Sequence, residues 1–143
     1  MIVQSVEQKQ NTYLCASMKI WSHPELAFQE TRSAEVLTEI LSKEAFQIER
    51  PLAGIPTAFM ATFGSGRPVI AVLGEYDALP GLSQEAGLPI QKPVIPGMPG
   101  HACGHNALGV GALAAAIAVK DFLNASGQTG TIRFYGCPAE ESG

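Results

Sequence analysis

Apolar residues recur at helical spacing over residues 3–21, where Val6, Tyr13, Leu14, Met18 and Trp21 predict one helix that stops at Ser22-His23-Pro24. A second helix is predicted over residues 29–45, opening at Gln29-Glu30-Thr31. Its face of Ala34, Leu37, Ile40 and Leu41 suits packing on a sheet. Residues 57–63, 68–74 and 131–136 read as strands, and residues 46–50 offer another. The run Val69-Ile70-Ala71-Val72-Leu73 is continuous rather than alternating, the pattern of a strand covered on both faces. Between the first two strands, Gly64-Ser65-Gly66-Arg67 has the length of a tight hairpin connection.

Residues 78–99 are rich in proline and glycine and lack periodicity, which predicts a long loop of the kind that carries function inside a compact domain. Residues 106–123 follow as a helix apolar on nearly every face and therefore deeply buried. Helix, strands, buried helix and strand together make an α/β pattern.

Composition narrows the picture. A chain of 143 residues with 46% hydrophobic content can bury one core. The net charge of -4 has no block of like charge, which argues against nucleic acid and membrane surfaces and for a small or peptide-like ligand. The most apolar helical stretch, residues 107–119, is too short to span a bilayer and contains Gly109 and Gly111. Residues 1–10 lack a basic segment followed by an apolar one, so a cytoplasmic location is expected. Cys15, Cys103 and Cys137 are an odd, sparse set, fitting reduced thiols, with Cys15 and Cys137 expected to be packing residues.

Three segments could carry chemistry: Gly74-Glu75-Tyr76-Asp77 after the apolar strand, His101-Ala102-Cys103-Gly104-His105 at the entry to the buried helix, and Pro138-Ala139-Glu140-Glu141 after the last strand. Strand ends and helix starts are where α/β proteins place their sites. In an extended loop His101, Cys103 and His105 would alternate onto one side, where imidazole and thiolate suit zinc, with manganese or cobalt admitted if carboxylates join. The same spacing also fits a buried cysteine beside capping histidines. Glu140 and Glu141 are costly to bury unless a cation meets them, so one could ligate while its neighbour takes a proton from water. Asp77 reads equally as the carboxylate orienting a ligand histidine or as a turn residue, Glu75 has no clear role, and His23 reads as a helix terminator.

Taken together, Gly74-Glu75-Tyr76-Asp77-Ala78-Leu79-Pro80-Gly81, Gly100-His101-Ala102-Cys103-Gly104-His105-Asn106 and Pro138-Ala139-Glu140-Glu141 resemble the zinc aminoacylase and amidohydrolase family of metallopeptidases, as does Trp21-Ser22-His23-Pro24-Glu25-Leu26. The Gly-Glu-Tyr-Asp form, the stretch Gly81-Leu82-Ser83-Gln84-Glu85-Ala86-Gly87 and Asn106 are similar to the branch containing p-aminobenzoyl-glutamate hydrolase and related dipeptidases. The resemblance implies Cys103, His105 and Glu141 as metal ligands, Glu140 as general base and Asp77 as supporting carboxylate, leaving His101 without a role. It implies a three-layer α/β sandwich with a mixed, largely parallel sheet flanked by helices. It also implies two divalent metal ions, zinc or manganese, in the full-length protein, a homo-oligomer, and a substrate that is an N-acyl amino acid, an aminobenzoyl-glutamate-like compound or a dipeptide.

Members of that family carry an inserted dimerisation domain and further ligand histidines after the Glu-Glu pair. Residues 1–143 are accordingly expected to be the N-terminal part of a catalytic domain, binding one metal or none, inactive alone and prone to self-association. Two other readings fit the residues: a non-catalytic α/β binding module with vestigial metal motifs, and a thiol hydrolase with Cys103 as nucleophile and His101 or His105 as base.

Overall fold

A computed structural model describes residues 1–142 as helices laid on one face of a four-stranded sheet. In chain order these are α1 (Ile2–Gln8), α2 (Gln10–Trp21), α3 (Thr31–Lys43), β1 (Gln47–Glu49), β2 (Phe59–Ser65), β3 (Val69–Glu75), α4 (His105–Ser126), β4 (Gly130–Cys137) and a 3-10 turn, Glu140–Ser142. The order across the sheet is β1-β2-β4-β3. β1 runs antiparallel to β2, β2 antiparallel to β4, and β3 parallel to β4. The sheet is thus mixed and flanked by helices, but within these residues its pairings are mostly antiparallel rather than largely parallel. The described residues supply two layers of the expected three.

The core follows from this register. Phe59, Ala61 and Phe63 of β2 lie opposite Gly136, Phe134 and Ile132 of β4, and all but Phe63 and Gly136 are fully buried apolar side chains beneath the helices. Phe59 stacks on Phe134 with ring centroids 5.6 Å apart and on Tyr76 at 6.2 Å. Gly136 is required here, because a Cβ would enter the Phe59 ring. α4 contributes Val110, Leu113, Ala114, Ala116 and Ile117, and α3 contributes Ala34, Leu37 and Leu41.

Several expectations change. The predicted hairpin over Gly64-Ser65-Gly66-Arg67 is absent, because β4 lies between β2 and β3 and bonds to both. The first helix breaks at Lys9, whose ammonium is drawn into Glu44 (2.7 Å) and Asp121 (3.0 Å), a long-range pull that no local glycine or proline announces. Its buried face is Tyr13, Ala16 and Ile20, leaving Leu14 and Met18 exposed. β3 is covered by α4 on its Val72 face only; Val69 and Leu73 on the opposite face are exposed, as is Ile70 near the start of the strand. Cys15 is exposed rather than packed, and Cys137 is half-buried.

The apolar helix runs to 22 residues, longer than its apolar stretch indicated, and by length and composition α4 could cross a bilayer. Here it is the core helix. Half of its most apolar window is buried, and it places Lys120 within 2.6 Å of Glu44 and 2.7 Å of Asp121.

Candidate metal centre

The site is built where β3, α4 and β4 come closest. Gly74 and Gly109 allow the approach: a Cβ on Gly109 would run into the Glu75 carbonyl oxygen, and one on Gly74 would meet the Phe134 ring at 2.6 Å. Gly104, left-handed at φ 84°, turns the chain into α4, so that His105 becomes its first residue. The first turn of α4 is thereby pressed against the end of β3.

Glu75 and Asp77 are two residues apart in extended chain and share a side, while Tyr76 points the opposite way and donates its hydroxyl to the Thr57 carbonyl at 2.7 Å. Burial pushes the Tyr76 phenol pKa up, which keeps it a neutral donor. Asp77 is 1% exposed and uses both oxygens: Oδ1 accepts from His105 Nδ1 at 2.8 Å, and Oδ2 accepts from the Glu141 backbone N–H at 2.9 Å. One carboxylate therefore sets both the imidazole and the turn that carries the paired glutamates. It also fixes the tautomer, leaving His105 Nε2 as the free nitrogen.

Around that nitrogen stand Glu75 Oε2 at 3.3 Å, Glu140 Oε2 at 3.7 Å and Glu141 Oε1 at 3.9 Å. Two donor sets share it: Cys103, His105 and Glu141, and Glu75, His105 and Glu140, each with ligand atoms within 4.8 Å of one another. Glu141 Oε1 is buried and has no hydrogen-bond partner. A buried carboxylate oxygen without a donor, beside an imidazole nitrogen whose lone pair faces carboxylates, fits a bound cation. Thiolate, imidazole and carboxylate are a donor set for a divalent metal. The Cys103 thiol is exposed and its pKa is raised chiefly by the neighbouring Glu141 carboxylate, then by desolvation and by the charges of Glu140 and Glu75. That is the reverse of what activates a thiol nucleophile, although metal binding would displace the proton.

The structure thus brings together Asp77, Cys103, His105, Glu140 and Glu141. It does not bring His101 with them. Gly104 N–H bonds back to the His101 carbonyl at 3.3 Å, and this turn destroys the expected alternation. His101 points away, with Nε2 3.2 Å from the Ile20 carbonyl and its ring stacked on Trp21. Burial lowers its pKa, so it sits as a neutral core imidazole. His23 is exposed at the end of α2, where Nδ1 lies 3.2 Å from the Lys19 carbonyl. Glu75 is the residue to which the motifs gave no role. Its position two before Asp77, on the same side of an extended segment, is the signal that marks it. A cavity of about 600 Å³ lies elsewhere, lined by Trp21, Glu25, Ile95, Met98 and His101 and by none of the donor residues.

The model of peptidase family M20/M25/M40 matches residues 71–143, a stretch that holds every residue of both donor sets. The chain belongs to this family. This M20/M25/M40 chain is 53% identical over 142 residues to one of the subunits of p-aminobenzoyl-glutamate hydrolase of Escherichia coli K12, covering 99% of the chain and 30% of that protein. It is 34% identical over 139 residues to the Xaa-Arg dipeptidase of Mus musculus, covering 89% of the chain and 28% of that protein. The YXEP protein of Bacillus subtilis, described as a dinuclear metal binding peptidase from the M20 family, superposes with a TM-score of 0.71 at 28% identity, covering 94% of the chain and 36% of that structure. The chain therefore spans about 30% of the length of the curated relatives it matches.

Proposed function

We propose that this chain carries the water-activating part of a metal-dependent amidohydrolase. The observation that carries the reading is the convergence of Cys103, His105 and Glu141 around a buried, partnerless carboxylate oxygen, with Glu140 alongside. Cys103, His105 and Glu141 would hold the ion, and Glu75 with Glu140 offers a second donor set around the same imidazole. When bound, the metal supplies a lowered pKa for water and a polarised scissile carbonyl. Glu140, half-exposed at 50%, is free to take the proton of the attacking water and return it to the leaving nitrogen. Asp77 holds His105 and the Glu141 backbone in place throughout.

A thiolate ligand favours zinc over manganese. Two ions in the whole protein, and a substrate that is an aminobenzoyl-glutamate-like compound, an N-acyl amino acid or a dipeptide, are supported by the relatives' names. Self-association into a homo-oligomer is supported by the uncovered face of β3, and a cytoplasmic location by three unpaired cysteines. The membership of residues 1–143 in a larger catalytic domain is supported by the share of the relatives they cover.

The test is metal content per chain by mass spectrometry after dialysis against zinc or manganese, repeated on a Cys103→Ala/Glu141→Ala variant. A chelator-removable metal in the parent and its loss in the variant are expected. Equal content in both would refute the ligand assignment.

A further inference from the structure

Glu30 is 0% exposed and lies far from the three motifs in sequence. It occupies the N-cap position of α3, yet it does not cap that helix. The work falls to Glu25, whose carboxylate accepts from Arg32 N at 3.0 Å and from Ser33 N and Oγ at 2.8 Å. The Glu30 carboxylate instead turns inward. Its Oε1 accepts two backbone N–H groups, from Phe28 at 2.9 Å and from Ala139 at 2.8 Å, while Oε2 is buried without a partner.

Both donors sit in the left-handed region, Phe28 at φ 61° and Ala139 at φ 62°, a conformation that disfavours residues with a Cβ and persists where surroundings impose it. Ala139 immediately precedes Glu140 and Glu141. Its carbonyl accepts from Ser142 N at 3.2 Å, so its φ decides how the short turn leaves β4 and where both glutamates project. The far end of the turn is anchored by the bond from Glu141 N to Asp77. The Glu25 carbonyl also accepts from Ala78 N at 2.8 Å, so one loop grips the chain beside both Asp77 and the glutamate pair.

We propose that Glu30 is a positioning residue: its buried carboxylate holds Ala139 in the left-handed conformation and thereby aims Glu140 and Glu141 at His105. This rests on the metal-centre reading above for its consequence, but not for its geometry. The experiment uses the full chain as Glu30→Ala, Glu30→Asp and Glu30→Ala/Ala139→Gly. Hydrogen exchange of the peptide spanning 138–142 is followed without metal, and Co2+ is titrated by its Cys103 thiolate absorption.

In Glu30→Ala the 138–142 segment is expected to lose protection, and Co2+ affinity to fall about tenfold or more, the usual scale for a supporting group. Adding Ala139→Gly should return much of the affinity, since glycine takes a positive φ freely, without returning the melting temperature. A merely structural role would lower the melting temperature and leave the affinity of the folded chain within about twofold, or leave the loss untouched by Ala139→Gly; either result overturns the proposal. Should Glu30→Ala not fold, Glu30→Asp keeps the charge but is too short to reach both N–H groups. It must show the same loss of affinity, and unchanged affinity overturns the proposal. If the parent binds no Co2+, the metal reading fails separately, and unchanged protection of 138–142 then overturns this one.

Discussion

Replacing Asp77 by asparagine tests the centre most directly, because the change is isosteric and the carboxylate faces two donors. Asp77 Oδ1 accepts a hydrogen bond from His105 Nδ1 at 2.8 Å, and Oδ2 accepts one from the Glu141 N–H at 2.9 Å. An amide has one oxygen and one NH2, so whichever way it flips, one buried donor meets another donor. Losing a hydrogen bond to a charged group costs about 1.5–3 kcal/mol, and stranding a buried donor about 1–3 kcal/mol. The two overlap, so about 2–4 kcal/mol of lost stability is expected for Asp77→Asn.

The functional loss is separate. If the NH2 faces the ring, the imidazole must move its proton to Nε2 and cannot ligate; if it faces Glu141, the turn is displaced. Metal affinity should fall about 10- to 100-fold in either case. Denaturant unfolding of the metal-free chain gives the first quantity and Zn2+ competition against a chromophoric chelator the second. Glu85→Gln, which removes only the exposed Lys92–Glu85 pair, should stay within about 0.5 kcal/mol of the parent. Asp77→Asn unfolding like that control and binding zinc like the parent would refute the two-sided role of this carboxylate.

Gly109→Ala should destabilise the chain by about 1–3 kcal/mol in urea unfolding, since its Cβ meets the Glu75 carbonyl oxygen and the backbone cannot yield without moving His105. The pKa of Asp121 is held at about 2, below its ordinary 3.8, by hydrogen bonds from Lys120, Ser5 and Lys9 that outweigh its desolvation. The sign follows: the unfolded state binds the proton more readily, so this stabilisation is complete above about pH 4 and fades as pH falls towards 2. Asp121→Asn should flatten that part of the acid-unfolding curve. Because Val69, Ile70 and Leu73 are exposed, light scattering is expected to rise with concentration, and Val69→Lys/Leu73→Lys to suppress the rise. A scattering mass constant across micromolar concentrations would remove the argument for self-association.

The sequence pattern disclosed the strands and the buried helix because their periods are local, and it disclosed the three motif segments because they gather metal-ligating residue types at strand ends and a helix start. What it could not disclose came from contacts between distant parts of the chain. The break at Lys9 depends on Glu44 and Asp121, and the insertion of β4 between β2 and β3 depends on which strand fills the gap. His101 illustrates the limit inside a motif. Its spacing from Cys103 and His105 suited shared ligation, but the left-handed Gly104 turned the chain and sent His101 towards Ile20.

Glu75 and Glu30 show the same limit at the centre itself. Glu75 earns its place only because Gly74 and Gly109 let α4 approach the end of β3, which sets His105 Nε2 3.3 Å from its carboxylate. That nitrogen belongs to both donor sets but can give its lone pair to one ion. Among the described residues a second ion would therefore have only carboxylates to rely on, which leaves Glu140 divided between holding an ion and taking a proton. An anchor that controls where Glu140 points decides between these uses. In this chain such an anchor exists in the buried Glu30, whose bond to Ala139 N fixes the turn one residue before the choice is made.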